Sequence, residues 1–332
     1  MKFSIILPVK NGGEYVKECV KSILSQTRQD FNVIVLDNRS TDGTLEWLQS
    51  LQDERIVIYE STKPLSIEEN WARIRSVPKN EFITLIGHDD ILNENYLDVM
   101  NSLIEKHPSA SLYQTHFQYI DAKGFVLRNC KPMPEIQYAH EFLASYMCEG
   151  IDSTGTGYMM RSKDYDNTGG INTSFERLIF ADYALWIDLS LLSYKATSAE
   201  LAFKYRIHNS VSRLTGGQEY QEAFEKFLQF IVSRAEKDAK IKSVTEKYGK
   251  KFLMHFCESL SHRILKTPVN QRVITVREFI EKCKSYAAIL VPFENFEPEK
   301  KFRINIAKML DSSVPGRKLF LIVNRMRRNF IF

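Results

Sequence analysis

The chain reads as an α/β protein: a mostly parallel central sheet flanked by helices, followed by a C-terminal all-helical extension. Three observations predict this. Short apolar runs alternate with helix-period segments over the first ninety residues. Several of these runs stop at carboxylates, as at Asp37 and at Asp89-Asp90. After residue 216 the apolar spacing is helical throughout. The expected organisation is a domain over 1–215 and a helical domain over 216–332 that ends in a basic amphipathic tail near 315–332.

Taken in order, Phe3–Val9 is a buried strand and Lys10-Asn11-Gly12-Gly13 a loop. Val16, Val20, Ile23 and Leu24 mark the inner face of a helix. Phe31–Leu36 is a strand that stops at Asp37, and 38–43 is a polar turn before a helix at Thr44–Leu51. Strand, helix and strand follow at Ile56–Tyr59, Ser66–Ile74 and Glu81–Ile86. A helix covers Tyr96–His107, and strands at Ser111–Ile120 and Phe125–Leu127 flank the turn 121–124. Helices at Tyr138–Met147 and Ala181–Leu192 enclose an extended stretch at Gly155–Arg161. Two short strands, Lys195–Thr197 and Ala202–Tyr205, lead into Arg206–Arg213. Phe224, Phe227, Leu228 and Ile231 begin the helical periods of the extension.

Composition narrows the function. The chain has 332 residues, 44% hydrophobic and 26% charged, as ordinary globular proteins do. Five scattered cysteines without a CxxC pair argue against a zinc site or a disulfide framework. The N-terminus runs straight into a strand without a signal-type apolar segment, so the expected location is cytoplasmic, peripheral on the inner face of the cell membrane. Lys and Arg number 23 against 13 Asp and Glu after residue 216, and 22 against 28 before it. The basic tail, with an apolar stripe and no acidic residue in 315–332, makes an anionic membrane surface an expected partner. Nucleic acid is not expected, because the basic residues do not interleave with aromatics on a sheet.

Polar clusters fall at strand ends: Asp37–Asp42, His88–Asp90, Asp182 and Arg206–Arg213. In a parallel sheet the first two share one edge, where ligands bind. Adjacent carboxylates there repel unless a cation lies between them. Oxygen ligands point to Mn²⁺ or Mg²⁺, which also neutralises a diphosphate leaving group. Neither GxGxxG nor GxxxxGK[ST] occurs, so no glycine-rich phosphate turn is expected.

Ser4–Asn11, Val35–Thr44, His88-Asp89-Asp90, Ala181–Trp186 and Tyr205–Ser210 together resemble the ordered motifs of family 2 glycosyltransferases of the GT-A fold, over roughly residues 3–213. The resemblance implies inverting transfer of a sugar from a nucleotide-diphosphate sugar, a UDP-sugar being expected, to a hydroxyl of a glycan or lipid-linked acceptor in cell-surface polysaccharide synthesis. It implies that Pro8, Val9 and Asn11 line the nucleotide, that Asp37 bonds the base, and that Asn38 and the Asp42 turn hold the nucleoside. By it His88 and Asp89 meet the donor, and Asp89, Asp90 and His208 hold the metal. Arg206 lies near the diphosphate, Asp182 is the general base, and Trp186 walls the acceptor pocket. Two positions depart from the pattern: Gly87 stands at the first place of the DxD-like motif, and Ala181 precedes the base. The alternatives are a nucleotidyltransferase, or a nucleotide-sugar-binding module without catalysis.

Overall fold

The structure is a computed structural model that describes residues 1–208, 217–267 and 273–329; side chains are described for these except at 319 and 323–329. The chain divides into two compact units, Met1–Ser210 and Val211–Phe332.

The first unit is built on a ten-stranded sheet. Its centre is β1 (Phe3–Val9), buried along its whole length, because an unbroken apolar run suits a strand covered on both faces. β1 pairs in parallel with β2 (Phe31–Asp37) on one side and β4 (Phe82–Leu85) on the other. β2 in turn pairs with β3 (Ile56–Glu60). Val9 lies opposite Asp37, so the ends of β1 and β2 and the turn after β4 emerge at one edge.

The order continues β4-β9-β6-β10-β5. β9 (Tyr158–Arg161) runs antiparallel between β4 and β6 (Leu112–Ile120). β10 (Lys195–Arg206) is parallel to β6 and antiparallel to β5 (Ile91–Leu92). β7 (Val126–Asn129) and β8 (Ile136–Gln137) add short antiparallel pairs. β10 forms one strand where the sequence suggests two: Ser198-Ala199-Glu200 breaks the apolar pattern, but the ladder with β6 absorbs the break as register shifts and resumes at Phe203.

Helices cover both faces. α1 (Gly13–Leu24) buries Val16, Cys19, Val20 and Ile23. Gly12 opens it because a Cβ there would lie 2.6 Å from that of Val16. α2 (Thr44–Ser50) follows β2. α3 (Ile67–Ala72) starts from a capping box between Ser66 and Glu69 and ends sooner than the sequence suggests, in a 3₁₀ turn at Arg73–Ser76, since Val77 before Pro78 is held extended. α4 (Tyr96–Lys106), α5 (Ala139–Met147), α6 (Ser162–Asn167) and α7 (Ala181–Leu192) complete this unit.

The second unit is helical in its described residues: α8 (Gly217–Ala235), α9 (Ala239–Lys266), α10 (Val276–Leu290), α11 (Phe302–Asp311) and α12 (Val314–Asn329). Its core gathers Phe224, Phe227, Phe252, Cys257, Phe279 and Cys283. No helix among the described residues is long and apolar enough to cross a membrane. The end of the tail, residues 330–332, and the segment 209–216 that holds Asn209 and Ser210 of the last motif lie outside the described residues.

Candidate functional site

At the edge where β1 and β2 end, two turns lock together. Asn11 holds a left-handed backbone at φ 53°, and its Oδ1 accepts from Thr41 N at 2.8 Å. Its own N–H donates to Ser40 Oγ at 2.9 Å. Asp42 accepts from Gly13 N at 3.0 Å and Thr44 N at 3.1 Å. Partial burial works to raise its pKa, but bonds from Thr44 and Gly13 outweigh this and leave it below the usual carboxylate value. Asn38 spends both ends of its amide on Leu65, at 2.8 Å each, and so fixes the loop after β3. Pro8 and Val9 form the buried floor.

Asp37 is fully buried. Its Oδ2 accepts from Ser40 N at 3.1 Å, while Oδ1 is buried without a hydrogen-bond partner. Such a vacancy costs free energy unless a donor fills it.

The turn after β4 is shaped by its glycine. A Cβ on Gly87 would lie 2.7 Å from Asp89 Oδ1 and 3.1 Å from Asp90 Oδ2, so both carboxylates fold back over this position. Glycine at the first place of the motif therefore lets both carboxylates keep these positions; any larger residue would make the Asp89 side chain shift. Asp89 Oδ2 lies 2.5 Å from His208 Nε2, both side chains about one-fifth exposed. Burial works to raise the Asp89 carboxyl, but the His208 hydrogen bond and the fields of His88 and His208 bring it below its ordinary value. His88 is half-buried, and burial lowers its pKa.

Asp90 faces inward. Its Oδ2 accepts from Thr156 Oγ1 at 2.5 Å and its Oδ1 from Arg206 N at 3.0 Å. Burial, then the charge of Asp89, push it well above the usual carboxylate range. Both of its oxygens have partners within the protein. Beside it lies Arg206. Its guanidinium donates to the carbonyls of Asp89, Asp121 and Ala122, pairs with Glu18 at 2.5 Å and stacks on Tyr15. At 2% exposure it ties the Asp89 turn to the β6–β7 hairpin.

Asp182 opens α7, after a turn in which Arg177, Leu178 and Phe180 all take positive φ. Such values are costly for side chains of this size and concentrate where geometry is over-determined. Arg177 N is tied to Glu68 Oε1 at 2.7 Å. Burial raises the Asp182 carboxyl to about 6. Trp186, one turn later, is fully buried, stacked on Tyr158 at 4.3 Å, and donates Nε1 to Thr154 O at 3.1 Å. It packs behind Asp182 on the same helix.

The structure brings Asp182 to the same place as the β4 turn. Burial raises the Tyr205 hydroxyl, and the charges of Asp90, Asp89 and Asp182 all add to the rise. Gly155 abuts Asp182: a Cβ there would lie 3.1 Å from Oδ2. Sequence reasoning missed Thr154, Gly155 and Thr156 as parts of one site; the only signal was the Gly155-Thr156-Gly157 run.

Asp89 Oδ2 and His208 Nε2 are hydrogen-bonded to each other, an oxygen and a nitrogen of the donor types that suit Mn²⁺. Among the described residues no group of three or more His, Cys, Asp or Glu could hold a metal ion.

The sequence pattern described as Glycosyl transferase family 2 matches residues 4–169, which span β1 through β9 and half of the chain. The chain belongs to this family. It is a glycosyltransferase, which displaces the nucleotidyltransferase alternative. The glycosyltransferase GlyG of Streptococcus pneumoniae is 31% identical over 124 residues, covering 36% of this chain and 41% of GlyG. The Escherichia coli protein WfaP, a UDP-Glc:alpha-D-GlcNAc-diphosphoundecaprenol beta-1,3-glucosyltransferase, is 27% identical over 62% of this chain and 77% of its own length. Among solved structures, S. aureus TarS 1-349 in complex with UDP-GlcNAc superposes with a TM-score of 0.67 at 14% identity, over 98% of this chain and 92% of that one. The mannosyltransferase PcManGT from Pyrobaculum calidifontis, solved with GDP-Man and Mn²⁺, gives 0.53 at 12% identity, over 97% and 87%. These structural likenesses establish the GT-A-like fold of the glycosyltransferase.

Proposed function

We propose that this glycosyltransferase moves a sugar from a UDP-sugar to a hydroxyl of a glycan or lipid-linked acceptor, with inversion at the anomeric carbon, in cell-surface polysaccharide synthesis. One observation carries the donor reading. Asp37 Oδ1 is a buried, unpartnered acceptor beside the Asn11–Thr41 turn. A uracil ring offers an imide N–H of the kind it lacks. The UDP-GlcNAc bound by TarS and the UDP-Glc in the name of WfaP support a uridine donor.

In this reading Asp37 receives the base, and Pro8, Val9, Asn11, Asn38 and Asp42 shape the nucleoside cleft. His88 and Asp89 meet the diphosphate. Asp89 and His208 would hold Mn²⁺ or Mg²⁺, with the diphosphate supplying the remaining oxygens; the ion would neutralise the leaving group. Asp90 and Arg206 hold the turn in place. Asp182 takes the proton of the acceptor hydroxyl as its oxygen attacks the anomeric carbon and the nucleotide diphosphate departs. A carboxylate near pH 6 remains ionised at neutral pH, as a base must. WfaP, whose name gives a diphosphoundecaprenol acceptor, supports a lipid-linked acceptor. The exposed Phe125, Val126 and Leu127, on the hairpin that Arg206 holds, are compatible with an apolar acceptor portion.

The test is a panel of nucleotide-sugars scored for binding and nucleotide release with and without Mn²⁺. UDP-sugars should bind best, and Asp89→Ala should abolish the Mn²⁺ dependence of that binding. Equal binding of all nucleotides would overturn the donor reading; Mn²⁺-independent binding by the wild type would overturn the metal.

A further inference from the structure

We propose that the loop Thr154–Gly157 is a strap that sets the Asp89 turn relative to Asp182, with Thr156 as its positioning residue. The proposal rests on Asp182 as base and adds what holds it in register.

Consecutive residues of this loop touch both halves of the site. Thr154 O accepts from Trp186 Nε1 at 3.1 Å, fixing α7 one turn beyond Asp182. Gly155 packs against Asp182 itself: a Cβ there would come within 3.1 Å of Oδ2 and 3.8 Å of Cγ, so the carboxylate would have to give by a few tenths of an ångström. Thr156 Oγ1 donates to Asp90 Oδ2 at 2.5 Å, and the other oxygen of Asp90 holds Arg206 N, two residues before His208. The strap is stiffened from within by Thr154 Oγ1, which donates to Thr156 O at 2.8 Å. Its far end is anchored to β4 by Gly157 N and Leu85 O at 2.9 Å. Gly157 holds φ +81°, and a Cβ would strike the Phe203 ring at 2.6 Å.

Adjacent Cα atoms are about 3.8 Å apart. The contact to Asp90 and the contact to Asp182 thus come from neighbouring residues of one short segment. Without the Thr156 hydroxyl, Asp90 Oδ2 is a buried acceptor with no donor, and the carboxylate must rotate or draw in water. Either response moves the turn that carries Asp89. Misplacement of reacting groups by about 1 Å costs on the order of 100-fold in rate. The nucleoside, held at the β1–β2 edge, does not depend on that register, whereas the diphosphate that Asp89 meets does.

The test uses the full chain and the UDP-sugar the wild type turns over, with Thr156→Val, Thr156→Ser, Gly155→Ala and Asp182→Asn in parallel. Uridine affinity is measured by titration calorimetry, kcat and KM by UDP release, and folding by thermal melting. Thr156→Val should lower kcat about tenfold or more while uridine affinity stays within about threefold, and Thr156→Ser should restore kcat to within about threefold. Gly155→Ala should lower kcat and shift the acid limb of the pH profile, since its methyl group presses on the Asp182 carboxylate. The strap is overturned by wild-type kcat in Thr156→Val beside an inactive Asp182→Asn, by loss of uridine affinity in proportion to kcat, or by failure of serine to rescue. Should the valine variant not fold, wild-type kcat and pH profile in Gly155→Ala overturn it. Full turnover by Asp182→Asn instead overturns the base assignment.

Discussion

Replacing Asp182 with asparagine separates function from stability, because the same burial governs both. The carboxyl is raised by burial from the model-compound value of 3.8 to about 6. One pKa unit corresponds to about 1.4 kcal/mol, so holding this carboxylate ionised in the folded state costs about 3 kcal/mol at neutral pH. The folded pKa lies above the unfolded one. Its stabilising effect is therefore fully present below about pH 4 and lost as pH rises through 6. Asparagine cannot ionise and is nearly isosteric. Asp182→Asn should thus melt at a higher temperature than the wild type at pH 7, with the advantage fading toward pH 4. Its turnover should fall by a factor of about 10² to 10⁴, the usual contribution of a general base. In the wild type, kcat/KM should drop about tenfold for each pH unit below 6, and the variant should lack this limb. The assay is UDP release across pH 4.5–8, with calorimetric melting of both proteins. Retention of more than about a tenth of turnover, or a wild type flat through pH 5, would refute the reasoning.

Asp37→Ala should weaken UDP binding about tenfold or more with little change in kcat at saturation, since a hydrogen bond to a charged group contributes about 1.5–3 kcal/mol; calorimetry with UDP decides it. Gly87→Asp, which completes the usual acidic motif on paper, should lower turnover rather than raise it, because a Cβ there meets Asp89 Oδ1 at 2.7 Å. Higher Mn²⁺ affinity and undiminished turnover in that variant would contradict the steric account. Lys195 is fully buried, its ammonium meeting Gln114 Oε1 at 2.9 Å, and burial lowers its pKa to about 7. The unfolded chain binds this proton more tightly, so the residue makes stability rise with pH between about 7 and 10. Lys195→Met should gain about 4 kcal/mol of relieved charge burial and lose about 2 for the orphaned Gln114 oxygen, for a net gain of about 2 kcal/mol at pH 7. Urea unfolding at pH 7 and 9 should show the variant with the shallower pH dependence.

The apolar runs at Phe3–Val9 and Phe31–Leu36 were legible as strands because burial on both faces leaves an unbroken hydrophobic record. The convergence of Asp37 and Asp89 on one edge follows from the alternation of strands and helices, since parallel strands end together. The local pattern also announced the helix at Ala181–Leu192, with Asp182 in its first turn. What stayed hidden depends on register between distant segments. Thr156 and Asp90 are 66 residues apart, and Arg206 and Asp90 are 116 apart; no periodicity encodes such pairs. The antiparallel β9 slips between β4 and β6, which brings Gly155 to Asp182. By its residue type Arg206 suited a phosphate contact, and the fold surrounds it with carbonyls and Glu18. Gly87 looked like a missing ligand and is the space into which two carboxylates fold. The sequence by itself determined the layers, the site edge and the family. Only the tertiary structure decided which polar side chains stay free for a ligand, because that choice belongs to the hydrogen-bond partners that long-range pairing supplies.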